Sequence, residues 1–196
     1  MRKNLFYSIS FLFLGVSGQA QFYGEWGVSI FYGLSHLPTG TATEMKKPSL
    51  LGYGLFAYPR INIFQFENQS LSLGAPSTIG INASSNGGGS EVGLAVDLPL
   101  MVSVNFGAGS SKNNESSFGG FIGGGFGYTY TNQKYTYSGL GWSASEYYKG
   151  RSYGPVLEAG LRMKISKQLW FIRFSGKLGL EAEKFRTFGF AFGTTP

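Results

Sequence analysis

Cysteine is missing from the 196 residues, and His36 is the lone histidine. Without a thiol there is no disulfide framework, thiolate zinc site or cysteine nucleophile, so no metal site or cofactor is expected. Charge is scarce as well. Asp, Glu, Lys and Arg make up 13% of the chain, against about 25% in ordinary soluble domains. Long apolar runs are also lacking. Beyond the first twenty residues nothing approaches the ~18 uninterrupted apolar positions that a membrane helix needs. What is abundant is glycine, with 31 residues, and aromatics, at 17%. That mixture suits a sheet with an apolar outside and a narrow inside.

The first twenty residues form a module of their own. Arg2 and Lys3 precede an apolar stretch, 5–16, which ends in Ser17-Gly18-Gln19-Ala20. The stretch is too short for a membrane helix and has the order of a secretory signal peptide, with cleavage expected after Ala20. The domain plan is therefore a signal peptide over 1–20 and one domain over 21–196. Absence of a cysteine after the cut excludes a lipoprotein. Losing Arg2 and Lys3 leaves 14 basic and 10 acidic residues, a net charge of +4.

The most informative stretch is 91–106, EVGLAVDLPLMVSVNF. Val92, Leu94, Val96, Leu98, Leu100, Val102, Val104 and Phe106 alternate with Glu91, Gly93, Ala95, Asp97, Pro99, Met101, Ser103 and Asn105. A period of two marks a strand whose faces meet different media. A tilted membrane-crossing strand needs about 9–11 residues, and this one exceeds that. The same alternation recurs over 25–35, 51–64, 70–82, 118–131, 153–165, 168–181 and 185–193, with Pro59 predicting a bulge or local defect. Only helices or closed barrels satisfy every backbone group in lipid. The fold expected is all-β: an eight-stranded antiparallel up-and-down transmembrane β-barrel in the outer membrane, an even strand count being the rule there. With the N-terminus in the periplasm, the long connections 36–49 and 132–152 face outward. The turn 107–117 is then unusually long for the inner side.

Strand parity makes a prediction about charge. Glu25, Arg60, Glu91, Asp97, Glu158, Arg162, Lys164, Arg173, Lys177 and Glu181 all fall on the inward face, and no strand centre carries a charge on the outward face. Eight strands enclose just enough space for side chains to fill. The expectation is a solid polar interior of ion pairs, with a narrow ion or small-solute channel as the alternative. The inward glycines of 119–127 are expected to make room for long cationic side chains. A phosphate loop is excluded there because no Gly-Lys-Ser/Thr follows.

Other chemistry is weakly supported. Some eight-stranded barrels modify lipid A with a His and a Ser near the outer rim, a pairing that suits an activated nucleophile. Here His36 adjoins Ser35, and neighbours on a strand point oppositely, so a non-enzyme is expected. Trp142, Tyr147 and Tyr148 in the long outer segment are candidates for a loop interaction with an extracellular ligand. The interfacial aromatic belt is the competing reading. Basic residues are turned inward or scattered, so nucleic acid is not an expected partner. Lys149 and Arg151 are placed to meet anionic lipopolysaccharide headgroups.

Several short motifs carry a resemblance: Ser17 to Gln21, Tyr58-Pro59-Arg60-Ile61-Asn62, Leu73-Gly74-Ala75-Pro76, Asp97-Leu98-Pro99-Leu100, Asn105 to Gly109, and the glycine-aromatic strand at 118–130. In these the chain resembles the outer-membrane protein β-barrel-domain family, within the small OmpA/OmpX-like barrels. The resemblance implies an integral outer-membrane protein inserted by the outer-membrane insertion machinery. Such barrels commonly end on an aromatic residue that this machinery reads. Here Phe192 precedes Gly-Thr-Thr-Pro, which puts recognition on Phe188, Phe190 and Phe192.

Overall fold

In the computed structural model, residues 21–34, 49–86, 89–139, 142–180 and 186–195 are described, with the backbone alone at 49, 84–86, 89–91 and 133–149. Nine strand segments follow one another: β1 (Gln21–Leu34), β2 (Ser49–Gln65), β3 (Gln69–Gly74), β4 (Ser77–Asn86), β5 (Gly89–Gly107), β6 (Phe118–Gly139), β7 (Trp142–Ile165), β8 (Gln168–Leu178) and β9 (Arg186–Thr195). All pairings are antiparallel and run neighbour to neighbour, and β1 returns to pair with β9. β3 and β4 share the space between β2 and β5, so they are one strand interrupted at Ala75-Pro76. The ring therefore closes with eight strands, as the alternation predicts.

The wall is inside out relative to a soluble protein. Val92, Leu94, Leu98, Leu100, Val102, Val104 and Phe106 are exposed, while Ala95, Met101, Ser103 and Asn105 are buried. The same holds around the ring, from Trp26, Val28 and Ile30 on β1 to Phe188, Phe190 and Phe192 on β9. This follows from pleat geometry. Inside a ring this small, alternate side chains pack against one another, and the others have nothing to cover them.

Four features differ from the sequence reading. The bulge expected at Pro59 lies elsewhere: the β2–β3 register slips between Asn62 and Phe64. Past it Phe64 is exposed and Ile63 leaves the outer row. Pro59 itself stays in register with Gly24, and the local defect lies opposite it, where the neighbouring strand is interrupted at Ala75-Pro76. Secondly, 132–152 is no loop. β6 and β7 continue as a hairpin to the pair Gly139–Trp142. The last pairs with their outer neighbours are Leu94–Asn132 and Val156–Lys177, so the hairpin tip projects past the ring. Thirdly, the turn 108–117 does not hang free. Ala108, Ser110 and Ser111 are buried, because the turn folds into the barrel mouth. Finally, Lys164 has inward parity but is exposed, since it sits at the rim one residue before β7 ends. Residues 1–20, 35, 36, Glu181 and Lys184 lie outside the described residues.

Candidate interior site

The barrel has a turn end, where β1 starts and 108–111 folds in, and a hairpin end, where β6 and β7 project. Its inward polar residues form three tiers between them.

At the turn end Glu25, 0% exposed, lies between two arginines. Arg162 Nη2 is 2.6 Å from Glu25 Oε1 and Arg60 Nε is 3.4 Å from it. Arg162 Nε also donates to Oε1 at 2.9 Å, and Nη1 donates to Asn105 Oδ1 at 2.9 Å. Each guanidinium is covered by a ring: Arg60 by Tyr23 and Arg162 by Phe121, both 4.3 Å from the ring centroid. Desolvated cations gain most from an aromatic face. The folded-in turn completes the tier. Arg60 Nη2 donates to Gly109 O at 2.6 Å and Asn62 Nδ2 to Ser110 O at 2.6 Å. Two left-handed residues, Gly107 and Gly109, bend the chain to reach them. A Cβ on Gly109 would stand 2.7 Å from Leu169 Cδ2 and 2.9 Å from Arg162 Cδ.

The middle tier joins β2, β5, β7 and β8. Arg173 Nη2 contacts Glu158 Oε2, and Ser103 Oγ donates to Glu158 Oε1. Tyr58 OH is 3.4 Å from the same oxygen. Arg173 also lies over Phe56 and Tyr58, 5.3 and 5.2 Å from their ring centroids. Gly123 on β6 is what lets Glu158 and Ser103 meet. A Cβ there would stand 2.8 Å from Glu158 Oε1 and collide with Ser103 Oγ.

Toward the hairpin end Lys177 Nζ lies 4.0 Å from Asp97 Oδ1, and both meet the Thr129 hydroxyl. The Asp97 side chain is 38% exposed. Beside it opens a cavity lined by Phe31, Phe56, Pro76, Thr78, Pro99 and Arg173, among others.

Of the ten inward charges, the structure brings seven into these tiers: Glu25, Arg60, Asp97, Glu158, Arg162, Arg173 and Lys177. Lys164 is outside them at the rim. Glu91 pairs through its backbone with Ser84 on β4, and its side chain, like Glu181, is outside the described residues. Trp142, Tyr147 and Tyr148 stand on β7 of the hairpin, opposite Gly139, Lys134 and Gln133. Their side chains are likewise outside the described residues. The sequence reading missed Phe121, Phe171 and the 108–111 turn. Phe121 and Phe171 sit at inward parity and are buried beside cations and aromatics, a signal available by counting twos. The seven charges hold four cations and three anions. Among the described residues no group of His, Asp and Glu could hold a metal ion. Among the described residues these charges, hydroxyls and rings pack against one another across the lumen.

No family model matches the chain, and no curated protein matches it in sequence. Solved structures do. The outer membrane protein OprG from Pseudomonas aeruginosa aligns with a TM-score of 0.52 at 13% identity, over 89% of this chain and 93% of OprG. Neisserial surface protein A (NspA) aligns with a TM-score of 0.54 at 11% identity, over 90% of this chain and 97% of NspA. Ail, the attachment invasion locus protein of Yersinia pestis, aligns with a TM-score of 0.45 at 15% identity, over 88% of this chain and 97% of Ail. With OprG and NspA the chain shares one fold, the eight-stranded antiparallel barrel of small outer-membrane proteins.

Proposed function

We propose that the chain is an integral outer-membrane barrel with a filled polar interior, acting in structure or surface interaction through its hairpin end and not as an enzyme. The observation that carries this reading is the outer wall. Leu55, Leu100, Ile122, Leu157, Leu161 and Phe174 are all exposed at mid-barrel, and this apolar surface runs around the ring. Soluble monomers rarely expose more than a few hundred Å² of contiguous apolar surface, and a closed ring satisfies its backbone without water. The shared fold with OprG and NspA supports the same location. Delivery by a signal peptide cut after Ala20 belongs to this reading, as do insertion by the outer-membrane machinery and contact with lipopolysaccharide.

The test is fractionation of the expressed full chain. It is expected in the outer membrane as a mature protein beginning at Gln21, migrating faster on gels unheated than boiled. Recovery in the soluble periplasm would overturn the reading. Because the three tiers and the 108–111 turn occupy the lumen, planar bilayers holding the protein should stay silent. Steady unitary conductance would replace this reading with the channel. A changed lipid A mass, lost in His36→Ala, would replace it with the lipid-modifying enzyme.

A further inference from the structure

The cavity beside Asp97 is small, about 40 Å³. A single water needs roughly 10–15 Å³ of such space, so about three water-sized bodies fill it. The register of β8 and β9 builds this hollow. Arg173 stands opposite Ala191 and Ser175 opposite Gly189, so two small residues leave room in front of the guanidinium. A Cβ on Gly189 would stand 2.5 Å from Ser175 Oγ, and its absence leaves that hydroxyl in place.

What a guest would meet depends on which polar groups are already engaged. The acids are. Asp97 lines the cavity, but it accepts from the Thr129 hydroxyl and Lys177 Nζ offsets its charge from 4.0 Å. Glu158 contacts Arg173 Nη2 and accepts from the Ser103 and Tyr58 hydroxyls. The donors are not. Arg173 is 3% exposed, pairs with Glu158 through Nη2, and has its Nε buried with no hydrogen-bond partner among the described residues. Ser29 Oγ donates to Thr78 Oγ1 at 3.1 Å, which leaves the Thr78 hydrogen available. Ser175 and Thr187 line the same space, and neither hydroxyl has a partner among the described residues.

Charge points the same way. The three tiers hold four cations and three anions, so one positive charge among the described residues lacks a counter-ion. In a low-dielectric interior an uncompensated charge is costly.

We propose that this cavity is a site for a monatomic anion, chloride, held by the Arg173 guanidinium and the hydroxyls of Ser175, Thr187 and Thr78. An acceptor-only guest of this size uses the donors left over and requires no acceptor. A cation would abut the guanidinium. A water could meet the same donors but leaves the excess positive charge as it is. The site depends on the closed ring and not on where the ring resides.

The test follows the Arg173 Nε–H resonance of the labelled mature chain in dodecylphosphocholine micelles. Sodium chloride replaces sodium gluconate at constant ionic strength, gluconate being too large for the cavity. Chloride is expected to shift the resonance saturably. Thr187→Val and Ser175→Ala each remove one donor without adding bulk, and each should raise the half-saturating chloride concentration at least threefold. If one variant loses its heat-modifiable migration, the other carries the test. Crystals soaked in sodium bromide give an independent reading, with an anomalous peak expected against Arg173 and Thr187. A shift linear in chloride, or a midpoint unmoved in both variants, overturns the site. Water at that position with no bromide signal overturns it too and assigns the cavity to solvent.

Discussion

The two ends of the lumen use the same residue types to opposite effect. At the turn end Glu25, Arg60 and Arg162 are sealed beneath Tyr23, Phe121 and the 108–111 turn. At the hairpin end Asp97 and Lys177 are farther apart, and Asp97 is partly wet. Parity treats both as inward charges. Energetically they differ, because a sealed charge that loses its partner has no water to turn to, whereas an open one is rehydrated. What makes an inward charge structural is the lid above it.

That contrast can be broken most sharply at Glu25. Glu25→Ala strands two buried guanidiniums and is expected to cost about 3–5 kcal/mol, read as a lower urea midpoint for unfolding from vesicles. An unchanged midpoint would mean that water reaches the turn end. Next in size is Leu157→Arg, which puts a cation on the outer wall opposite Gly124 and Gly176. Near the bilayer midplane it should cost about 2–4 kcal/mol in the same assay, and no loss would argue against lipid contact there. Gly109→Val attacks the lid. Its left-handed backbone and its two close neighbours leave no room for a branched side chain. A loss of about 1–3 kcal/mol is expected, with faster amide exchange confined to 108–111. Exchange that rises equally at the hairpin end would deny that the lid is local. Smallest is Asp97→Leu, expected to cost under about 1 kcal/mol because the pair is partly solvated. A loss matching that of Glu25→Ala would erase the distinction between the two ends.

Period two made most of the wall legible. It put Arg60, Glu158, Arg162, Arg173 and Lys177 inside and Leu157, Phe174 and Phe190 outside, because a strand side chain has only two directions available. It failed where something other than the pleat decides. Lys164 has the right parity but runs out of barrel. The slip between Asn62 and Phe64 flips the register locally, which no proline announces. The hairpin over 133–148 was hidden by composition, since Gln133, Lys134, Ser138 and Gly139 look like loop residues. Strand pairing with each other extends β6 and β7 there. The folded-in turn was hidden because its attraction is non-local. Gly109 and Ser110 offer carbonyls that only Arg60 and Asn62, far back in the chain, can reach. Its sole local trace is the small-residue run Gly107-Ala108-Gly109-Ser110-Ser111.

The pairing of β1 with β9, Trp26 opposite Thr194, has a consequence for how the molecule is made. The first strand waits for the last. Until the final residues exist, β1 shows a bare row of backbone donors and acceptors, which is a template for pairing with any other chain. Bringing two such distant segments together must also be paid for in chain entropy before any bond rewards it. Shortening the chain ahead of β9 would therefore not yield a smaller barrel. It would yield an open sheet with two adhesive margins, and the natural product of such a sheet is an aggregate.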